Sequence, residues 1–300
     1  MSLGELARPI TIYWDVTPPP ARTPDYGRLC DQIKEIQPLQ LHLLDTGGST
    51  CLKILSQLKG APLAVVLTTD PAALTTPLIE SLQALGLKGL LLQASSCAGL
   101  TQAKAVRKVV GGRFATGIAF QVNRENWQEL PLVVDFCLQQ GFGSLTLPMQ
   151  RLYGDEPVFR LTVRERIQLT ESLTEVNVSA LRLTIHDPFL WGAFNPGSPF
   201  PGNGCQAANT MLAIAPDSTV YPCPALPLAL GSLADTTLKE LLTGEAKKSF
   251  RTQTRKLPDE CRCCDQQAGC HGGCRGRSLI LTRDISRPDP ACEIVLNQKG

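Results

Sequence analysis

The stretch Cys261-Arg-Cys-Cys264-Asp-Gln-Gln-Ala-Gly-Cys270-His-Gly-Gly-Cys274 sets four cysteines in the spacing Cys-x₂-Cys-x₅-Cys-x₃-Cys. Cys205, Cys223 and Cys292 flank it, and Cys263 sits inside it. Eight of the chain's twelve cysteines therefore fall in its last hundred residues. Thiols this dense are either oxidised to one another or bound to metal, and the surrounding sequence bears on which.

At 300 residues and 43% hydrophobic composition the chain can bury a sizeable core, and its length suggests about two domains. A net charge of +2 gives no reason to expect nucleic acid as a partner. Apolar runs such as 63–67 and 90–92 are too short to cross a bilayer. Met1-Ser-Leu-Gly-Glu-Leu has no signal-peptide pattern, so a cytoplasmic setting is expected, where thiols stay reduced and metal is favoured over disulfides.

Zinc and iron–sulfur then compete. Structural zinc takes four ligands in a closed tetrahedron; seven cysteines overfill one such site and underfill two, unless Cys263 or His271 supplies an eighth ligand. Iron–sulfur fits the count better. In two-cluster ferredoxins the fourth cysteine of a compact run ligates the other cluster. By that analogy Cys261, Cys264, Cys270 and Cys292 hold one [4Fe-4S] cluster, and Cys274 turns away to join Cys205 and Cys223 around a second. The second has three thiolates, leaving one position for another donor. A basic stretch surrounds the run: Lys247, Lys248, Arg251, Arg255, Lys256, Arg262, Arg275 and Arg277. It reads either as a solvated face or as charge that partly offsets an anionic cluster.

Ahead of the cysteines, residues 8–190 alternate short β-rich runs with helical patterns. Strands are predicted at 10–16, 39–44, 63–69, 87–93, 116–122, 144–147 and 181–185. Tyr26, Leu29, Cys30, Ile33 and Ile36 mark one amphipathic helix, and Thr162 with Glu165 a capping box opening another. Repeated strand–helix units imply a parallel sheet, here a partial (β/α)6 barrel whose ligand site lies at the carboxyl ends of the strands. Gly192–Gly204 is rich in glycine and proline and reads as a linker, giving domains at 1–198 and 199–300. A hairpin is predicted around Pro216-Asp217-Ser218.

Single residues have plainer readings. Cys51, Cys97 and Cys137 are expected in the core, where free cysteine behaves as a small hydrophobe. His42, in mid-strand, is expected as a core histidine. His186-Asp187 stands at a strand tip, suited to a barrel-closing hydrogen bond or to ligand contact.

The cysteine array resembles the SPASM domain of radical S-adenosylmethionine enzymes that modify peptides and proteins. That pattern is Cys-x₉₋₁₅-Gly-x₄-Cys, then Cys-x₂-Cys-x₅-Cys-x₃-Cys, then a last Cys; this chain departs from it only at Ser218, where the family has glycine. The preceding domain resembles the radical-SAM barrel, followed by a small loop-rich α+β iron–sulfur domain. The resemblance implies two auxiliary clusters on the seven cysteines. The family's barrel also carries Cys-x₃-Cys-x₂-Cys after the first strand, to hold the cluster that cleaves S-adenosylmethionine. Here that loop reads YWDVTPPPARTPDYGRLCDQ, with Cys30 alone, and the family's Gly-Gly-Glu reads Gly47-Gly48-Ser49. Serine cannot make the charge-assisted bond of that glutamate to the ligand's ammonium group.

From this the chain is expected not to bind S-adenosylmethionine or run radical chemistry by itself. It is expected to serve as an iron–sulfur accessory protein beside a true radical SAM/SPASM enzyme and a peptide chaperone or peptide substrate, relaying electrons or positioning the substrate. A narrower resemblance, to SPASM-domain proteins of the GeoRSP system, rests on QRLYGDEP at 150–157 and HDPFLW at 186–191. The alternatives are an enzyme that anchors its substrate on the open auxiliary cluster, and a zinc-stabilised binding module.

Overall fold

The structure is a computed structural model that describes residues 4–17, 23–151, 157–201 and 204–292. Within 150–157, residues 152–156 lie outside the described residues, as do 18–22 of the proline-rich loop.

Seven strands alternate with helices: β1 (Thr11–Asp15), α1 (Tyr26–Ile36), β2 (Gln40–Leu44), α2 (Thr50–Leu58), β3 (Ala64–Thr69), α3 (Thr76–Ala84), β4 (Gly89–Ala94), α4 (Cys97–Val110), β5 (Ala115–Phe120), α5 (Leu130–Gln139), β6 (Ser144–Leu147), α6 (Val163–Leu173), β7 (Arg182–Ile185) and α7 (Pro188–Phe194). Each predicted strand forms, within two residues of its expected ends. The helices start where side chains supply acceptors to the free backbone N–H groups. Asp25 caps α1 through Arg28 N, Thr162 and Glu165 cap α6 reciprocally, and Asp187 caps α7 through Phe189 N and Leu190 N.

Strands β1 to β7 pair in parallel in chain order. In β2 and β3 the buried residues alternate with half-buried ones. Leu41, Val65 and Leu67 are buried in the core, while His42 and Thr68 line the hollow inside. Trp14 (1% exposed) and Trp127 anchor the outer layer, the former against Tyr26 with ring centroids 5.9 Å apart.

The sheet continues beyond residue 199. Strand β8 (Met211–Ile214) adds in parallel to β1, followed by antiparallel β9 (Thr219–Tyr221) and β10 (Gly231–Ser232), in the order β10-β9-β8-β1-β2-β3-β4-β5-β6-β7. The β8–β9 hairpin turns as expected, and Ser218 takes φ 71°, the left-handed conformation that glycine enters at no steric cost. Helices α8 (Leu238–Thr243), α9 (Glu245–Thr254), α10 (Gln267–Cys270) and α11 (Arg275–Thr282) follow among the described residues. Among the described residues, no helix is long and apolar enough to cross a membrane.

Candidate metal centre and barrel cavity

The barrel sheet curls enough to bring its ends together. Tyr13 on β1 meets His186, just past β7, with Oη and Nε2 3.1 Å apart. Tyr13 also stacks on His42, with centroids 5.0 Å apart. At the strand tips Arg151 grips Asp15 with two donors, Nε to Oδ2 at 2.5 Å and Nη2 to Oδ1 at 2.7 Å. Tyr13, His42, Arg151 and His186 wall a cavity of about 530 Å³, within the usual size of small-ligand pockets. Gln93, Gln121 and Thr146 add neutral hydrogen-bonding groups. His42 is therefore a cavity residue and not the core histidine expected of a mid-strand position. Burial pushes the Tyr13 hydroxyl up to about 12 and both imidazoles down to about 4, His42 helped by His186 and Arg151. All three are neutral near pH 7.

A second cavity, of about 340 Å³, adjoins the first; Gln121, Met149, Phe159 and His186 line both. Its far wall carries Cys205, Cys223 and Cys274. These thiols are close enough for Cys205 and Cys274 both to act on the charge of Cys223. Cys261, Cys264, Cys270 and Cys292 surround a separate, small cavity. Cys261 feels Cys292 and Cys264, and Cys270 feels Cys292 and Cys261. Spacing, by analogy, set Cys261, Cys264, Cys270 and Cys292 apart from Cys205, Cys223 and Cys274; the two cavity linings overlap at Cys270. Cys263 is exposed and lines neither cavity.

Between Cys270 and Cys274 the chain turns tightly; both line the larger cavity, and Cys270 also lines the small one. His271, Gly272 and Gly273 take φ of 49°, 91° and 75° in succession. A Cβ on Gly273 would lie 2.4 Å from that of Asp289, so the turn tolerates no side chain there. Helix α11 then packs with Gly276 against Ala225, two residues past Cys223; a Cβ on Gly276 would sit 1.8 Å from the Ala225 carbonyl oxygen.

The donor set suits an iron–sulfur cluster. Thiolates are its usual ligands, and backbone N–H groups point at the sulfurs: Ala207 and Arg275 at Cys205, Ala225 at Cys223, Gly272 at Cys270 and Arg277 at Cys274. Without metal, burial raises the Cys205 and Cys223 thiols and pushes Cys261, Cys270 and Cys274 up to about 11. Loading thus releases protons. Among the described residues no three His, Cys, Asp or Glu side chains form a group that could hold a single metal ion.

Four members of the basic stretch are not a solvated face. Lys247, Arg251, Arg275 and Arg277 are buried. Arg251 pairs with Glu5 at 2.7 Å and donates to the carbonyls of Cys205 and Ala207. Arg277 holds Asp289 and Asp187, joining the last barrel strand tip to the cysteine run. Positive charge alone could not distinguish these arginines from exposed ones. His271 bonds the Arg255 carbonyl through Nε2 at 2.9 Å.

The cysteines outside the tail divide. Cys30, Cys51 and Cys137 are fully buried, their thiols pushed up to about 12 by burial. Cys97 is exposed, against expectation, because it opens α4 directly after its Ser96 cap and faces outward. In the loop 45–49, Asp45 accepts from Gly48 N and Cys51 N at 3.0 and 2.7 Å, and Ser49 faces solvent.

Comparison with known proteins gives three findings. The family described as an iron–sulfur cluster-binding domain, SPASM, matches residues 205–265. The chain is 26% identical to the PqqA peptide cyclase of Gluconobacter oxydans (91% of this chain, 82% of that one) and 28% identical to that of Ruegeria pomeroyi (90% and 78%). Among solved structures, Streptococcus suis SuiB bound to S-adenosylmethionine superposes with a TM-score of 0.71 at 16% identity (96% of this chain, 78% of that chain). SuiB bound to the precursor peptide SuiA also gives 0.71 at 16% identity (96% and 77%). The protein anSMEcpe with bound AdoMet and the Cp18Cys peptide gives 0.69 at 16% identity (95% and 94%). These findings overturn the expected accessory role. Relatives that match nine-tenths of the chain are named as cyclases, enzymes in their own right. They likewise weaken the expectation that S-adenosylmethionine is not a ligand, and they do not carry the narrower GeoRSP resemblance. The chain has a radical-SAM-like α/β fold with a parallel sheet and carries a SPASM iron–sulfur domain toward its C-terminal end.

Proposed function

We propose that this chain is an iron–sulfur enzyme that modifies a peptide held in the barrel cavity, against the thiols of Cys205, Cys223 and Cys274. In this reading Cys261, Cys264, Cys270 and Cys292 hold one [4Fe-4S] cluster, and the set of three holds the other. A cluster held by three thiolates supplies a Lewis-acidic iron for a substrate donor. The observation that carries the reading is the shared wall: His186 and Gln121 line both the barrel cavity and the three-thiol cavity.

The chain's own residues then bind and orient the peptide. Gln93 and Gln121 offer amide groups that match a peptide backbone. Tyr13 and His186, already hydrogen-bonded, form a neutral pair that can orient a polar group of the substrate by hydrogen bonding near pH 7. Arg151 is fixed by Asp15, so the cavity wall is set before the substrate arrives. The test is a mass shift in short synthetic peptides incubated with the anaerobically reconstituted, reduced protein. Wild type modifies at least one peptide class, and Tyr13→Phe slows it while iron content stays the same. No modified peptide from a fully loaded protein would count against the reading.

The S-adenosylmethionine-bound neighbours of the same fold favour a second reading, in which the barrel also takes that ligand. The residues present do not match the family's way of cleaving it: no cysteine lies between Asp15 and Leu29, and Cys30 is fully buried on α1. Calorimetric titration with S-adenosylmethionine tests binding, and release of 5′-deoxyadenosine by this chain alone tests cleavage.

A further inference from the structure

Arg275 follows Cys274 at the start of α11 and is 1% exposed. Among the described residues its guanidinium bonds only neutral oxygens. Nη2 donates to the carbonyls of Lys256 and His271, both at 3.0 Å, and Nη1 to that of Arg287 at 3.2 Å. Nε is buried and has no hydrogen-bond partner among the described residues. Arg277, two residues on, takes both oxygens of Asp289, and Arg275 forms no ion pair among the described residues. A positive charge is thus buried while Asp289, the carboxylate that acts on it, is bonded to Arg277, an arrangement that is costly unless further negative charge is supplied.

The surroundings point to where that charge comes from. Arg275 lines the three-thiol cavity together with Cys205, Cys223 and Cys274. Its Nη1 lies 3.0 Å from where a Cβ on Gly272 would stand, and Gly272 lines the four-thiol cavity. Its charge acts on Cys205 of one set and on Cys261 and Cys270 of the other, and its backbone N–H points at Cys205. The guanidinium is therefore within electrostatic reach of both thiol sets.

We propose that Arg275 is a positioning residue common to both metal sites: its guanidinium, in no ion pair among the described residues, offsets the negative charge of both bound clusters and holds both reduction potentials up together. The physical ground is that an added electron is stabilised by a nearby fixed cation in a medium of low dielectric. The proposal rests on the reading that both thiol sets hold clusters. Iron and sulfide analysis of the wild-type protein tests that reading separately, before any variant is made.

The experiment is an EPR-monitored redox titration of reconstituted wild type, Arg275→Gln and Arg275→Lys. The glutamine variant keeps hydrogen-bonding capacity and removes the charge; the lysine variant keeps the charge and loses the planar fork. With Arg275→Gln, both clusters become harder to reduce, by at least tenfold in the reduction equilibrium, about 59 mV for one electron. With Arg275→Lys, both stay within about threefold of wild type, about half that interval. Unchanged potentials in a fully loaded Arg275→Gln, or a shift confined to one cluster, overturns the proposal. Should the glutamine variant fail to take up iron, Arg275→Lys decides: a tenfold change at both clusters with the charge retained also overturns it.

Discussion

Arg277 donates Nε and Nη2 to the two carboxylate oxygens of Asp289 at 2.8 and 2.7 Å. The remaining Nη1 reaches Asp187, which caps α7 at the end of the barrel, and Asp289 in turn accepts from Cys274 N at 2.8 Å. One guanidinium thus fixes the three-thiol site to the barrel that faces it. Burial pushes the Asp187 carboxyl up, and Arg277 with two backbone N–H groups more than offsets this and holds it below the ordinary range.

Replacing Arg277 by methionine leaves Asp289, which is 0% exposed, buried without its counter-charge. The expected cost is about 3–5 kcal/mol, as for other broken buried pairs. Urea denaturation of the metal-free protein measures it. Arg277→Lys recovers less than half, because an ammonium cannot make two parallel bonds to Asp289 and reach Asp187 as well.

Stability depends on pH through His42. Its imidazole is held down to about 4 in the folded protein, against about 6.5 when unfolded. Between these values the unfolded chain binds more protons, so stability falls as pH drops from about 6.5 to about 4 and is level above. His186 shares the shift. In urea denaturation across that range, His42→Gln should remove a substantial part of the slope; an unchanged slope would show that His42 is not the group responsible.

Ser218 holds φ 71° at the β8–β9 turn. A Cβ in that conformation is strained by about 1–2 kcal/mol, partly balanced by the greater freedom glycine gives the unfolded chain. Ser218→Gly is therefore expected to stabilise by about 0.5–1 kcal/mol, read as an upward shift in the thermal midpoint.

Gly276→Ala acts in the opposite direction. The new Cβ would overlap the Ala225 carbonyl oxygen, so α11 must move away from the loop that carries Cys223. Overpacking of this kind costs about 1–3 kcal/mol or more. Iron content per chain is expected to fall, with the loss concentrated at the three-thiol site.

The barrel was legible because its strands are short apolar runs set apart by amphipathic helices, a pattern visible one element at a time. The gathering of the seven cysteines around two adjoining cavities was legible from their dense spacing. What stayed hidden depends on partners distant in sequence. Arg277 is read as one more surface cation until Asp187, ninety residues earlier, and Asp289 are folded against it. His42 lies mid-strand like a core residue, and only the curl that brings Tyr13 to His186 shows that its face of the strand is a cavity wall. The continuation of the sheet by β8 was concealed for the same reason, since a strand after a linker carries no local mark of its neighbour. The expected accessory role rested on the missing loop cysteines and on Ser49 in place of the family's glutamate, features of one site that do not outweigh likeness to named cyclases over nine-tenths of the chain.

The proposed chemistry needs the Cys205, Cys223 and Cys274 site to keep an open position facing the barrel. EPR of the reduced, iron-loaded protein titrated with cyanide, a small donor for exposed iron, probes that position. Two cluster signals are expected, of which one changes with cyanide, and Cys223→Ala should remove the responding signal and leave the other. Two signals that both ignore cyanide, or a response that survives in Cys223→Ala, would rule the open position out.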